Sequence, residues 1–149
     1  MRLTTKGRYA VTAVLDLALH QDNGPVSLAA ISERQQISLS YLEQLFAKLR
    51  RNNIVSSTRG PGGGYTLTSN VDDVSVSDII IAVDESCKVV DCGESEGCHG
   101  SNHQCLTHDL WQELSNEIRS FLDGISISEI MSTEAVHEAK LRQDKVINA

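Results

Sequence analysis

The stretch "ISLSYLEQLFAKLRRNNIVSSTRGPGGGYTLT", Ile37 to Thr68, decides the fold. Leu42, Leu45, Phe46 and Leu49 recur at the spacing of one helical face, which predicts a helix from about Leu39 to Arg51. Two asparagines end it. Two short β-prone runs follow, "IVSST" and "GYTLT", separated by a segment too rich in Gly and Pro for regular structure. Helix, break, strand, glycine tip and strand read as a helix followed by a hairpin. Upstream, Tyr9, Ala10, Val14, Leu17 and Ala18 mark the buried face of a helix over roughly Lys6–His20, which "QDNGP" terminates. Ser27 can cap a second helix from Leu28 to about Gln35, and "QQIS" breaks the chain before the third. Two short helices, a tight turn, a third helix and a hairpin form the outline of a winged helix-turn-helix, in a mainly α chain.

Downstream of the hairpin, Ser75 or Ser77 can cap a short helix within "DDVSVSDIIIAV". A loop holding most of the cysteines comes next. A long helix is then expected from near Leu106 to around Asp123–Gly124, with Leu106, Leu110, Leu114, Ile118, Phe121 and Leu122 along one face. A monomer would leave that stripe partly exposed, so Leu110, Leu114, Ile118, Phe121 and Leu122 are candidates for a homodimer interface. From about Thr133 the chain is charged and lacks a stripe, and a frayed or disordered tail is expected over 133–149.

The 149 residues suit one domain with an extension, and the 40% apolar content suffices for a modest core. The basic start and apolar run at the N-terminus resemble a signal peptide. Asp16 interrupts the run and no small-residue cleavage site follows, so it reads as a structural helix in a cytoplasmic chain with no membrane span. The net charge of −7 weighs against nucleic acid, but it is unevenly distributed. Residues 1–66 carry eight Lys or Arg against four acids, a net +4; the remainder carries five against sixteen, a net −11. That separation suits a basic binding half and an acidic regulatory or dimerising half.

On the third helix, Ser40, Gln44, Ala47 and Arg51 lie opposite the apolar stripe, flanked by Glu43 and Lys48. A solvated polar face is the plain alternative. The adjoining hairpin and the positive charge favour a surface that approaches base edges of double-stranded DNA. Glu43 has two readings. With Ser40 as N-cap it closes a capping box; with Ser38 as N-cap it projects outward, where it could accept from a cytosine amino group. The glycine tip lacks G-K-[ST] and departs from G-x-G-x-x-G at Tyr65, so it is no nucleotide loop. It reads either as a flexible turn or, better, as a wing whose bare backbone approaches the DNA backbone while Arg59 enters the minor groove.

The loop "CGESEGCHGSNHQCLTH" spaces Cys92, Cys98, Cys105 and His108 as C-x5-C-x6-C-x2-H. Three thiolates and an imidazole suit an iron–sulfur cluster or zinc, and spacing alone leaves that choice open. His99 and His103 could replace His108, but from a glycine-rich segment that would hold them poorly. Cys87 stands apart and reads as a packed or spare thiol. No catalytic constellation is evident, and a non-enzyme is expected. An electron carrier and a zinc-stabilised repressor are the alternatives to a sensor.

With "MRLTTKGRYAV", "ISLSYLEQLFAKLRRN", "VSSTRGPGGGY", "AVDES" and "CLTH" in view, the chain resembles, nearly end to end, the iron–sulfur cluster regulators (the IscR family) among winged-helix transcriptional repressors. The resemblance implies a homodimeric transcription factor that acts as repressor or activator at palindromic promoter sites and controls cluster-assembly genes. It implies one 2Fe–2S cluster per subunit, supplied by the cluster-assembly machinery and held by Cys92, Cys98, Cys105 and His108. It also implies DNA contacts by the third helix and wing, at Ser38, Ser40, Glu43, Gln44, Arg59 and Gly60, to which the helix surface adds Tyr41, Lys48 and Arg51. The chain departs from the family pattern in one extra residue between Cys98 and Cys105 and in the additional Cys87. The expected organisation is therefore a DNA-binding winged helix-turn-helix at 1–80, a cluster-binding loop at 81–108, a dimerisation helix at 106–124 and the tail.

Overall fold

Four serines set where helices begin. Ser27, Ser38, Ser75 and Ser126 stand in extended backbone, and each side chain accepts from the N–H three residues on. This satisfies donors that a helix start otherwise leaves orphaned. In the computed structural model, which describes residues 4–89 and 104–147, these serines open α2 (Leu28–Gln35), α3 (Leu39–Arg51), α4 (Val76–Ala82) and α6 (Ile127–Met131). The remaining elements among the described residues are α1 (Thr5–His20), a 3-10 turn at Gln21–Asn23, the antiparallel strands β1 (Val55–Thr58) and β2 (Gly64–Leu67), α5 (His108–Asp123) and α7 (Glu134–Ile147). The mainly helical winged helix-turn-helix expected from the sequence is the fold observed.

The core forms where α1, α2, α3, β1, α4 and α6 meet. Leu17, Ile31, Leu42, Leu45, Phe46, Leu49, Val55, Ile79 and Ile127 are all buried in one cluster. Each such side chain contributes about 1.5–3 kcal/mol relative to exposure, which is why the stripe on α3 fixes the orientation of its polar face. A charge is buried with them. The Asp16 carboxylate receives Arg34 Nη2 at 2.7 Å and Nε at 2.9 Å, and Gln35 Nε2 at 2.7 Å. These donors tie α1 to the end of α2 and keep the carboxylate satisfied.

Two expectations are corrected and one element is added. The segment from Thr133 is not frayed throughout: it forms α7, which docks by polar side chains. Lys140 Nζ donates to the Leu19 carbonyl at 3.0 Å, Gln143 meets Gln35, and His20 Nε2 lies 3.3 Å from Asp144 Oδ1. Such a helix carries no apolar stripe to announce it. Tyr9 is not on the buried face of α1. It is 37% exposed and meets the Tyr41 ring edge-on at 5.9 Å. The short α6 was not anticipated; it is stitched to the start of α4 by Ile127 N–H to Val74 O at 2.9 Å and Val76 N–H to Ile125 O at 3.0 Å.

Candidate nucleic-acid interface and metal centre

Which serine caps α3 determines what its polar face presents. Ser38 is the N-cap, with its hydroxyl accepting from Tyr41 N–H at 3.3 Å. The capping-box reading, which required Ser40 at that position, is therefore not how the helix begins. Ser40, Glu43, Gln44 and Arg51 are exposed together opposite the buried stripe, and Tyr41 is half-buried against Tyr9. Ala47 is exposed among them, so nothing bulky stands between Gln44 and Arg51.

Lys48 is differently placed in one respect: its ammonium pairs with Asp84 Oδ2 at 3.0 Å. The hydrogen bond from Lys48 holds the Asp84 carboxyl below the usual carboxylate range. Asp84 lies just beyond α4, a partner that helical periodicity could not reveal.

The hairpin stands beside this face. Its register pairs Val55 with Leu67 and Thr58 with Gly64. Gly63 N–H donates to Gly60 O at 2.9 Å and closes the tip, where Arg59 and Gly60 are exposed. Gly60 has φ of 100°, a conformation for which glycine is suited. Two contacts set the hairpin relative to the helices. Val26 and Tyr65 exchange backbone hydrogen bonds at 2.9 and 2.8 Å, and the Tyr65 ring packs edge-on against Phe46 at 4.9 Å. The tip is thus placed by core packing of α3 as well as by the chain that joins them.

Farther along the chain, His108 is the first residue of α5 and its N–H donates to Cys105 O at 3.1 Å. Both side chains are half-buried. Thr107, the N-cap, makes no side-chain cap; its hydroxyl accepts from Trp111 Nε1 at 3.0 Å instead. A thiol and an imidazole beside one helix start are a donor pair that fits zinc or an iron–sulfur cluster. Cys92 and Cys98, with His99 and His103, lie outside the described residues. Among the described residues no group of three His, Cys, Asp or Glu side chains could hold a metal ion. Cys87 is half-buried in a groove of about 370 Å³ between the end of α4 and α5, lined also by Ile81, His108, Trp111 and Arg119. Burial raises its thiol pKa.

The stripe on α5 has little cover. None of its residues is buried; Leu110 is 54%, Leu114 41% and Phe121 67% exposed, while Ile118 and Leu122 are half-buried. Among the described residues no helix is long and apolar enough to cross a membrane.

Comparison with known proteins agrees with this architecture. Residues 3–133 match Rrf2, the family described as iron-dependent transcriptional regulators. The HTH-type transcriptional regulator IscR of Aliivibrio salmonicida is 58% identical over 144 residues, covering 97% of this chain and 85% of its relative. The solved structure of T. potens IscR has 38% identity and a TM-score of 0.72, covering 91% of this chain and 90% of that one. CymR (YrzC), the global cysteine regulator of B. subtilis, has 32% identity and a TM-score of 0.74, covering 89% and 97%. Relatives and fold alike are those of transcriptional regulators and not of enzymes, and the chain belongs to the Rrf2 family.

Proposed function

We propose that this IscR-like regulator works in the cytoplasm as a homodimer on palindromic promoter DNA, and that a 2Fe–2S cluster, one per subunit, sets its affinity or choice of site. Its targets on this reading are the genes that build iron–sulfur clusters, with the assembly machinery as cluster donor, and it represses or activates according to the promoter.

The DNA surface consists of Ser38, Ser40, Tyr41, Glu43, Gln44 and Arg51 on α3 with Arg59 and Gly60 on the wing. Exposed Gln44 has the donor and acceptor to bond an adenine edge, and exposed Glu43 the acceptor for a cytosine amino group. Arg59 supplies the positive charge that a narrow minor groove attracts. Cys92, Cys98, Cys105 and His108 would hold the cluster. When bound, it would supply an iron-dependent constraint that an iron-poor or oxidised cell removes. Cys105 and His108 then define the first turn of α5, which Thr107 does not cap. Leu110 lies in that same first turn, so the start of the helix and the start of the dimer stripe are one structural unit. Two copies of that stripe would bury each other and set two α3 helices on one duplex. Coupling of this kind is worth about 1–3 kcal/mol.

The observation that carries the reading is the position of Cys105 and His108 at the start of α5, which Thr107 does not cap and whose apolar stripe is exposed. Anaerobic reconstitution with iron and sulfide tests it. Visible charge-transfer absorption that His108→Ala weakens supports the cluster. Colourless protein retaining zinc would make this a zinc-stabilised repressor, and a coloured protein without DNA affinity would make it an electron carrier.

A further inference from the structure

The turn at residues 82–86 is held by side chains from two helices. It closes α4 with a left-handed cap: Asp84 has φ of 59°, its N–H donates to Ile81 O at 3.0 Å, and Glu85 N–H donates to Ile80 O at 3.2 Å. Glycine is the usual residue at such a position, because a Cβ is strained there. Asp84 accepts that strain, and its carboxylate takes the Lys48 ammonium from α3. Asn52, at the C-terminus of α3, donates to Lys48 O at 2.9 Å and to Ala82 O at 3.1 Å. From α1, Lys6 Nζ reaches Asp84 O at 3.5 Å, and the Glu85 carboxylate fills the space that a side chain at Gly7 would need. Beyond the turn lies Cys87, and then Val89, whose N–H donates to Ser115 Oγ on α5 at 3.0 Å. The last turns of α3 are therefore located by the segment that leads to α5.

We propose that Asp84 and Lys48 are positioning residues for DNA reading: the pair holds the C-terminal end of α3 against the 82–86 turn, and Lys48 is not a phosphate contact. The inference rests on the reading of α3 as the recognition helix. An ammonium engaged by a carboxylate releases few counterions on meeting DNA, whereas a free one adds about one unit to the salt dependence of binding. A carboxylate kept at a site where glycine is easier serves something other than the turn.

The test uses the full chain and two probes: a duplex selected by the wild-type protein from a randomised library, and the same duplex with scrambled half-sites. Lys48→Ala, Asp84→Gly and the double variant are titrated against both at several salt concentrations, with Gln44→Ala as the base-reading control. Each single variant is expected to lower the ratio of specific to scrambled affinity about two- to fivefold, the scale of an exposed ion pair. The double variant should do no worse than the worse single, and the salt slope of Lys48→Ala should equal the wild type's. Asp84→Gly should melt no lower than wild type, since the turn loses strain, which separates positioning from stability. The inference is overturned if Lys48→Ala weakens both duplexes equally with a slope lower by about one, if Asp84→Gly leaves the ratio unchanged, or if the two substitutions act additively. Should Gln44→Ala keep full discrimination, α3 is not the reading helix and the inference falls with that reading.

Discussion

Phe121→Ala should separate dimerisation from folding. Phe121 is 67% exposed on α5, and full burial of such a side chain is worth about 1.5–3 kcal/mol. Covering the exposed two-thirds therefore contributes roughly 1–2 kcal/mol per protomer. A two-fold interface contains the residue twice, which makes about 2–4 kcal/mol per dimer. At 1.4 kcal/mol per tenfold, the dimer Kd should rise roughly thirtyfold to several-hundredfold. Within a protomer little is lost, because α5 buries none of its residues and Ala is a better helix former than Phe. Sedimentation equilibrium over a range of concentrations measures the Kd, and a melt at a concentration where both proteins are monomeric measures the fold. A Kd unchanged within twofold would refute the placement of the stripe in the interface. So would a monomer melting point that falls as far as the dimer weakens.

Three further substitutions address other parts of the account. Glu43→Ala should relax discrimination at one base position by about 1–3 kcal/mol and leave the melting curve in place, because Ser38 and not Ser40 caps α3; a uniform loss across site variants would contradict a reading role. Asp16→Ala should destabilise the protein by about 3–5 kcal/mol in urea titrations, since it leaves Arg34 buried without its partner. The pair Asp16→Leu with Arg34→Met should cost far less, and equal losses would show that the charge is not the cause. His108→Cys should retain a cluster of lower reduction potential, as an anionic ligand replaces a neutral one. An unchanged potential would move the fourth ligand elsewhere.

Periodicity made α3 legible because Leu42, Leu45, Phe46 and Leu49 are all buried, and the hairpin was legible because only a glycine-rich link joins two such short β-prone runs. The ambiguity between Ser38 and Ser40 could not be resolved locally. Both precede a plausible helix start, and the phase is fixed by which side chains reach the core. α7 was hidden for the opposite reason. Lys140, Gln143 and Asp144 dock it through hydrogen bonds to α1 and α2, and polar docking leaves no apolar signature. Asp84 was hidden because its partner Lys48 is distant in the chain, and Lys48 read naturally as one more basic residue on a DNA-facing helix. Of the candidate metal ligands, Cys105 and His108 flank the start of α5, joined there by the backbone bond from His108 N–H to Cys105 O.

Cluster occupancy is proposed to control DNA binding. The most direct measurement titrates cluster-loaded and cluster-free protein, prepared from one batch under anaerobic conditions, against the same set of promoter duplexes. The isotherms are expected to separate by roughly 5- to 150-fold on at least one duplex, the range of a coupling of about 1–3 kcal/mol. Superimposable isotherms on every duplex, with the cluster present in one sample and absent in the other, would contradict it.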